Sequence, residues 1–215
     1  MSRTMLAGAV CLIAAPLLEL VSSIDVPTMS DETGPVVTAL RDHHGAMVAG
    51  LTLEMLALAL LIAGTLWLAL AVAPHAPRLA TAGGILGVAG LLAILFANGM
   101  SAAAAPVVSS LDEASATTAV DAITGSAAHS VLEPLSILHV LALILIAIAL
   151  RRTAAAASVT LVAGSIVETA GFATGTRALV IAGFAMFLAG AFGVVRRLAF
   201  VAHAPAGASL PAFGS

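Results

Sequence analysis

Long apolar runs alternate with short polar breaks along the whole chain. Six apolar segments can be drawn, each close to the ~20 residues that a helix needs to cross the hydrocarbon core of a bilayer. They cover residues 4–22, 46–72, 79–103, 130–150, 154–175 and 178–200. Because only a helix satisfies its own backbone hydrogen bonds in hydrocarbon, the pattern predicts an all-α, polytopic membrane protein. We expect one domain, a six-helix bundle over residues 1–200, and a disordered cytoplasmic tail over residues 201–215, which are rich in Ala, Pro and Gly.

The connections between the apolar segments differ in length. The second and third segments are joined by a short turn that contains Pro77 and Arg78, and the fourth and fifth by Arg151 and Arg152. The stretches 23–45 and 104–129 are long, and residues 36–40 and 114–123 within them are apolar enough for short interfacial helices. Long loops over a scaffold are often lids or binding elements, although a solvated connector is equally consistent with the pattern.

The distribution of arginine predicts the orientation. All eight basic residues are arginine, and a cytoplasmic N-terminus places six of them inside and two, Arg41 and Arg177, outside. The six inside are Arg3, Arg78, Arg151, Arg152, Arg196 and Arg197. This excess agrees with the positive-inside rule, so both termini are expected in the cytoplasm and the protein in a bacterial inner (plasma) membrane.

Composition excludes several classes of protein. The chain has 61% hydrophobic and 9% charged residues and a mean hydropathy of +1.15, whereas soluble domains are about 25% charged. The net charge is −3 and no basic patch is present, so no nucleic-acid partner is expected. The single cysteine, Cys11, excludes an intrachain disulfide and a cysteine-based zinc site.

Polar side chains inside or beside the apolar segments are the candidates for chemistry. A carboxyl group inside a membrane helix costs about 2.5–3.5 kcal/mol on insertion scales, so a retained one indicates function. The predicted topology brings nine polar side chains to the outer half of the bundle: Glu19, His43, His44, Glu54, Asn98, His129, Glu133, His139 and Glu168.

Glu54 and Glu168 lie deepest and are the expected acid and base, in either order. Desolvation disfavours the charged form of a carboxyl group, so such a group can donate a proton to a buried substrate at neutral pH. Glu133 and His139 complete the predicted catalytic set. The predicted substrate-binding residues are Glu19, Asn98, His43, His44 and His129.

Simpler interpretations exist for most of these residues. Glu19 and Glu133 are near enough to the interface to extend toward water, and His43, His44 and His129 can be ordinary interfacial residues. His139 can satisfy an interhelical hydrogen bond. No dense ligand motif is present, and the His129 and Glu133 pair at i, i+4 is a weak signal, so no metal and no cofactor is expected.

The chain resembles the small six-helix membrane proteins, mostly uncharacterised, of GC-rich bacteria. The shared pattern is an acidic outer loop, His43-His44 opening the second helix, Pro77-Arg78 in a short inner turn and a second long outer loop. The embedded Glu54 and Glu168 also make the chain similar, more loosely, to bacterial membrane-bound terpene cyclases. That similarity implies a proton-initiated isomerase or cyclase acting on a terpenoid-like lipophile.

Three functions are therefore compatible with the sequence. The preferred one is acid–base chemistry on, or binding of, a lipophilic small molecule. The second is proton- or cation-coupled transport, and the third is a non-catalytic membrane subunit whose acids lock helices or dock a partner. The sequence leaves the substrate and the oligomeric state open.

Overall fold

The chain is all helical in the computed structural model, which describes residues 3–26 and 33–203. No strand occurs in that part of the chain. Its helices are α1 (Arg3–Asp25), α2 (Thr33–Asp42), α3 (His44–Val72), α4 (Pro77–Val108), α5 (Glu113–Thr124), α6 (Ala127–Leu135), α7 (Leu138–Leu150), α8 (Ala155–Ala173) and α9 (Arg177–His203). Six spans are long and apolar enough to cross a membrane: α1, α3, α4, α6 with α7, α8 and α9.

The six predicted segments and the two short helices are present, with shifted bounds. α2 and α5 coincide with the short helices expected at 36–40 and 114–123. α4 continues to Val108, five residues past the predicted end at 103, so Asn98 lies well inside the helix rather than at its end. α9 runs to His203 and includes the first residues of the expected tail, whereas residues 204–215 lie outside the described part of the chain.

The fourth segment is not the continuous helix that we expected over 130–150. It begins earlier, at Ala127, where the Ser126 hydroxyl accepts a hydrogen bond from the His129 N–H at 3.2 Å. It is then interrupted at residues 136–137, just after Pro134 and Leu135 end α6. The Ser136 N–H bonds to the Glu133 carbonyl and the His139 N–H to the Ser136 carbonyl, which tightens the chain into a short turn.

Consecutive spans of this set are antiparallel, and they pack closely where glycine meets a neighbouring backbone. A Cβ placed on Gly64 of α3 would lie 2.9 Å from the Leu12 Cα of α1. A Cβ on Gly183 of α9 would lie 2.3 Å from the Glu168 N of α8. Small residues allow such close approach between helices in membranes.

Small residues also decide which faces of α9 and α1 meet their neighbours. Gly183 and Gly190 of α9 face α8, whereas Ala185 and Ala189 of the same helix are exposed. Trp67 of α3 is only 7% exposed and lies over Gly8 of α1. The absence of a side chain at Gly8 makes room for the indole.

The two ends of the bundle differ in what covers them. The upper end is the one at which α1 ends at Asp25, α4 at Val108 and α8 at Ala173, and the lower end is opposite. The lower half is filled by an apolar core that includes Leu12, Leu68, Leu143, Ile146 and Leu161. At the upper end, α2 and α5 pack on the end of α4 and the start of α3 through a second cluster: Val37, Ala39, Leu40, Met47, Ala105, Val108, Ala116 and Val120.

Candidate functional site

A cavity of about 380 Å³ lies in the upper half of the bundle, below α2. Its volume is within the range of small-molecule sites, about 300–1,000 Å³. Each of the six long apolar spans contributes to its walls, and Val36 and Leu40 of α2 line it from above. The polar residues that line it are Glu19, Ser22, Ser23, Glu54, Asn98, Ser101, His129, Glu133, Ser136, His139, Glu168 and Thr169.

Three glutamates from three helices meet in this cavity. Glu19 of α1 is 5% exposed, and Glu54 of α3 and Glu168 of α8 are half-buried. The carboxyl groups are close enough to interact electrostatically with one another. Among residues 3–26 and 33–203, no arginine lines the cavity. In the described chain, Arg41 and Glu113 form an ion pair outside the cavity, with 3.6 Å between the Arg41 Nη1 and Glu113 Oε2 atoms. Ionisation of all three carboxyls would therefore place like charges together in a weakly polar space.

Two lining residues of the cavity, Asn98 and His129, each have a buried polar atom without a hydrogen-bond partner in the described chain. The Asn98 side chain lies close enough to the Glu54 carboxyl to interact with it. The Asn98 Nδ2 atom is nevertheless buried without a well-formed hydrogen bond to any described residue, and so is the His129 Nδ1 atom. Buried polar atoms usually have partners, so these two are available to an occupant of the cavity.

His139 is held at both ring nitrogens. Its Nδ1 lies 2.5 Å from the Ser136 carbonyl oxygen, which can only accept, so Nδ1–H donates. The neutral ring then accepts at Nε2 from the Ser165 hydroxyl of α8, at 3.0 Å. Ser165 is fully buried. This geometry favours the interhelical hydrogen bond that the sequence left as an alternative over a direct role of His139 in proton transfer.

The remaining predicted residues are divided between the cavity and the surface. Glu133 lines the cavity at its edge and is otherwise exposed. His43 and His44 do not line it: His43 is exposed, and His44 is half-buried. The chain at His43 has φ −131° and ψ 36°, outside the helical region, so the face that Met47 and Glu54 share does not extend back to it.

The sequence did not single out several residues that shape the cavity. Ser22 and Ser23, at the end of α1, are 4% and 3% exposed, and the Ser22 hydroxyl donates to the Gly50 carbonyl at 3.1 Å. Phe172 and Phe184 form an edge-to-face pair with ring centroids 6.2 Å apart, and both line the cavity. Two adjacent serines in an apolar helix could have been recognised in the sequence as candidate lining residues. The aromatic pair joins two different helices, so no sequence pattern indicates it.

The histidines, cysteine, aspartates and glutamates of residues 3–26 and 33–203 form no group of three or more that could hold a metal ion. The three glutamates thus interact without the arrangement of a metal site. Comparisons with protein-family models, curated proteins and solved structures give no significant match. The functional argument therefore rests on the geometry of the cavity.

Proposed function

We propose that this is a bacterial inner-membrane protein, with both termini in the cytoplasm, that binds and isomerises a lipophilic small molecule. The observation that carries the proposal is the meeting of Glu19, Glu54 and Glu168 in a cavity that no arginine of the described chain lines. Carboxyl groups inside membrane helices are costly and mark functional sites. The orientation rests on the six arginines at the lower end, as the positive-inside rule requires.

The proposed reaction is proton-initiated isomerisation or cyclisation of a terpenoid-like substrate. One of the pair Glu54 and Glu168 gives its proton to a carbon–carbon double bond, and the other removes a proton from a neighbouring carbon. The two transfers balance, so the reaction needs no cofactor. The Asn98 amide lies beside the Glu54 carboxyl, and His139 acts as a positioning residue between α7 and α8. The Phe172 and Phe184 rings offer π faces to the carbocation formed between the two steps.

Transport is the less favoured function. A proton or cation carrier needs a polar route from the cavity to the lower end. Below Leu58 and His139, the centre of the bundle is instead filled by Leu12, Leu68 and Leu143. This apolar core favours a closed binding site over a conduction path.

Native mass spectrometry of the protein in mild detergent tests the proposal. We expect the wild type to retain a lipophile, and Glu54→Gln and Glu168→Gln, which keep the shape of the side chain, to lose it or to bind it without turnover. Asp25→Asn is the matched control, because Asp25 is exposed at the same end and does not line the cavity.

Each other outcome of this experiment names another function. A lipophile retained equally by all variants would contradict the acid–base mechanism and leave a binding protein. An empty wild type that turns over no polyene, with both glutamine variants unchanged, would favour the structural subunit.

A further inference from the structure

No acidic residue of the described chain lies at the lower end of the bundle. The eleven acidic positions leave four long intervals without an acid: before residue 19, between residues 54 and 112, between residues 133 and 168, and after residue 168. Every connection at the lower end falls in these intervals. Six arginines lie there, so the side chains of the lower end carry a net positive charge in the described part of the chain.

A second cavity opens at this end, with a volume of about 900 Å³. It lies between the α3–α4 turn, the α7–α8 turn and the last turns of α9. It shares no lining residue with the acidic cavity. Its charged lining consists of Arg151 and Arg152, with His75 and Thr153 beside them, and its apolar wall includes Ile148 and Val201. The site is thus amphipathic, with a basic rim and an apolar wall.

The basic groups of this cavity are free. Arg151, Arg152 and His75 are exposed and make no ion pair or side-chain hydrogen bond with any residue of the described chain. Ala76, which also lines the cavity, precedes α4 and offers no side-chain cap to the first turn of that helix. The positive end of the α4 dipole therefore adds to the two guanidinium charges.

We propose that this lower cavity binds an anionic glycerophospholipid. Its phosphate would pair with the Arg151 and Arg152 guanidinium groups, which bind phosphate through several N–H donors. One acyl chain would lie along Ile148 and Val201, which are 44% and 36% exposed and otherwise face the bilayer. Basic pockets between membrane helices commonly hold lipid headgroups. A free phosphate shares the charge but would leave the apolar wall uncovered, which is why we favour the lipid.

Titration of the full-length protein in dodecyl maltoside, read by native mass spectrometry, tests this site. The probes are phosphatidylglycerol, phosphatidylcholine with the same acyl chains, and inorganic phosphate. We expect one phosphatidylglycerol to bind in preference to phosphatidylcholine, and inorganic phosphate to displace little of it. For Arg151→Gln/Arg152→Gln we expect binding of phosphatidylglycerol to be weaker by about 25-fold, or about fivefold per arginine.

A matched double variant separates a built site from diffuse charge. Arg3→Gln/Arg196→Gln removes the same charge from exposed positions at the same end that do not line the cavity. Arg151→Lys/Arg152→Lys retains the charge and is expected to keep most of the binding. Equal weakening in the two glutamine variants would overturn the site, and displacement by equimolar inorganic phosphate would overturn the lipid as its ligand. All of these substitutions are outside the apolar core, and a thermal melt in detergent checks that each variant is folded.

Discussion

Single polar atoms decide how the acidic cavity is built. His139 bridges α7 and α8 by donating from Nδ1 to the Ser136 carbonyl and accepting at Nε2 from the Ser165 hydroxyl. The bond to Ser165 is buried and the bond to Ser136 is partly buried. The imidazole is therefore fixed beside the glutamates, and its position depends on one hydroxyl group of a neighbouring helix.

Removal of that hydroxyl should weaken the bundle. For Ser165→Ala we expect a loss of about 0.6–1.7 kcal/mol, the size of an interhelical hydrogen bond in a membrane protein, measured by unfolding in mixed micelles. Ser158→Ala in the same helix is the control, because Ser158 is also buried but its hydroxyl bonds only to the Ala155 carbonyl of its own helix. Equal destabilisation by the two substitutions would argue against the bridge.

A second residue-scale prediction concerns α5, outside the membrane-spanning helices. The Ser115 hydroxyl donates to the Asp112 carboxylate at 2.7 Å, and the Ser115 N–H donates to it at 3.1 Å. These two hydrogen bonds, the hydroxyl one more strongly, hold the pKa of Asp112 below the usual aspartate value. The ionised carboxylate therefore stabilises α5 at neutral pH, and this contribution is lost as the pH falls through the lowered pKa. Asp112→Ala should lower the melting temperature at pH 7. Asp112→Asn should keep the melting temperature close to that of the wild type, because both Asp and Asn cap helices well.

If Asp112→Ala melted at the wild-type temperature at pH 7, the cap would contribute nothing to stability. The same comparison below the lowered pKa should show a smaller difference between Asp112→Ala and the wild type, because the protonated carboxyl is a poorer acceptor for the N–H groups of the first turn.

At the scale of the element, the turn that interrupts the fourth span forms part of the cavity wall. The turn between α6 and α7 lies directly on Gly90 of α4: a Cβ there would be 2.4 Å from the His139 N and 3.1 Å from the Ser136 O. The same turn places Ser136 and His139 in the cavity wall. The turn can therefore fit against α4 only because residue 90 has no side chain.

The substitution Gly90→Ala should displace this turn. Its methyl group meets backbone rather than a flexible side chain, so we expect a destabilisation of about 1–3 kcal/mol and weaker retention of any ligand. Gly99→Ala in the same helix is the control, since its nearest neighbour is the Met55 Cε at 3.8 Å. There the better helix propensity of alanine should leave stability unchanged or raise it by up to about 1 kcal/mol. If Gly90→Ala melted at the same temperature as the wild type, the close contact between Gly90 and the turn would be refuted.

The elements also show what the sequence could and could not predict. Hydropathy predicted the six spans because a helix must be apolar over the whole hydrocarbon thickness. It also placed the three glutamates at one level, since antiparallel helices of similar length bring their upper ends together. The interruption at residues 136–137 was missed because the hydropathy of an apolar segment does not report a local turn, and the earlier helix start at Ala127 was missed for the same reason. The exclusion of His43 depended on local dihedral angles that periodicity does not report.

At the scale of the whole molecule, topology is the property to test. In a Cys11→Ala background, we expect a cysteine at Thr38 of α2 to react with a membrane-impermeant maleimide in intact cells. A cysteine at exposed Arg196 should react only after permeabilisation. Both sites are exposed, so accessibility across the membrane is the only difference measured. The opposite labelling pattern would reverse the proposed orientation while leaving the bundle itself unaffected.

Because its arginines are unevenly distributed between the two ends, the free energy of the protein in a membrane depends on its orientation relative to the membrane potential. In the orientation proposed above, inverting the protein in an energised membrane would move six arginines to the positive side and return two, a net transfer of four charges. Each elementary charge moved through 100 mV costs about 2.3 kcal/mol, so the inverted form would lie about 9 kcal/mol higher from arginine alone. The acids at the upper end, moved the other way, add a contribution of the same sign. That difference is comparable with the entire folding free energy of a typical domain, about 5–15 kcal/mol. The membrane potential would thus maintain the orientation of this protein continuously, long after insertion is complete.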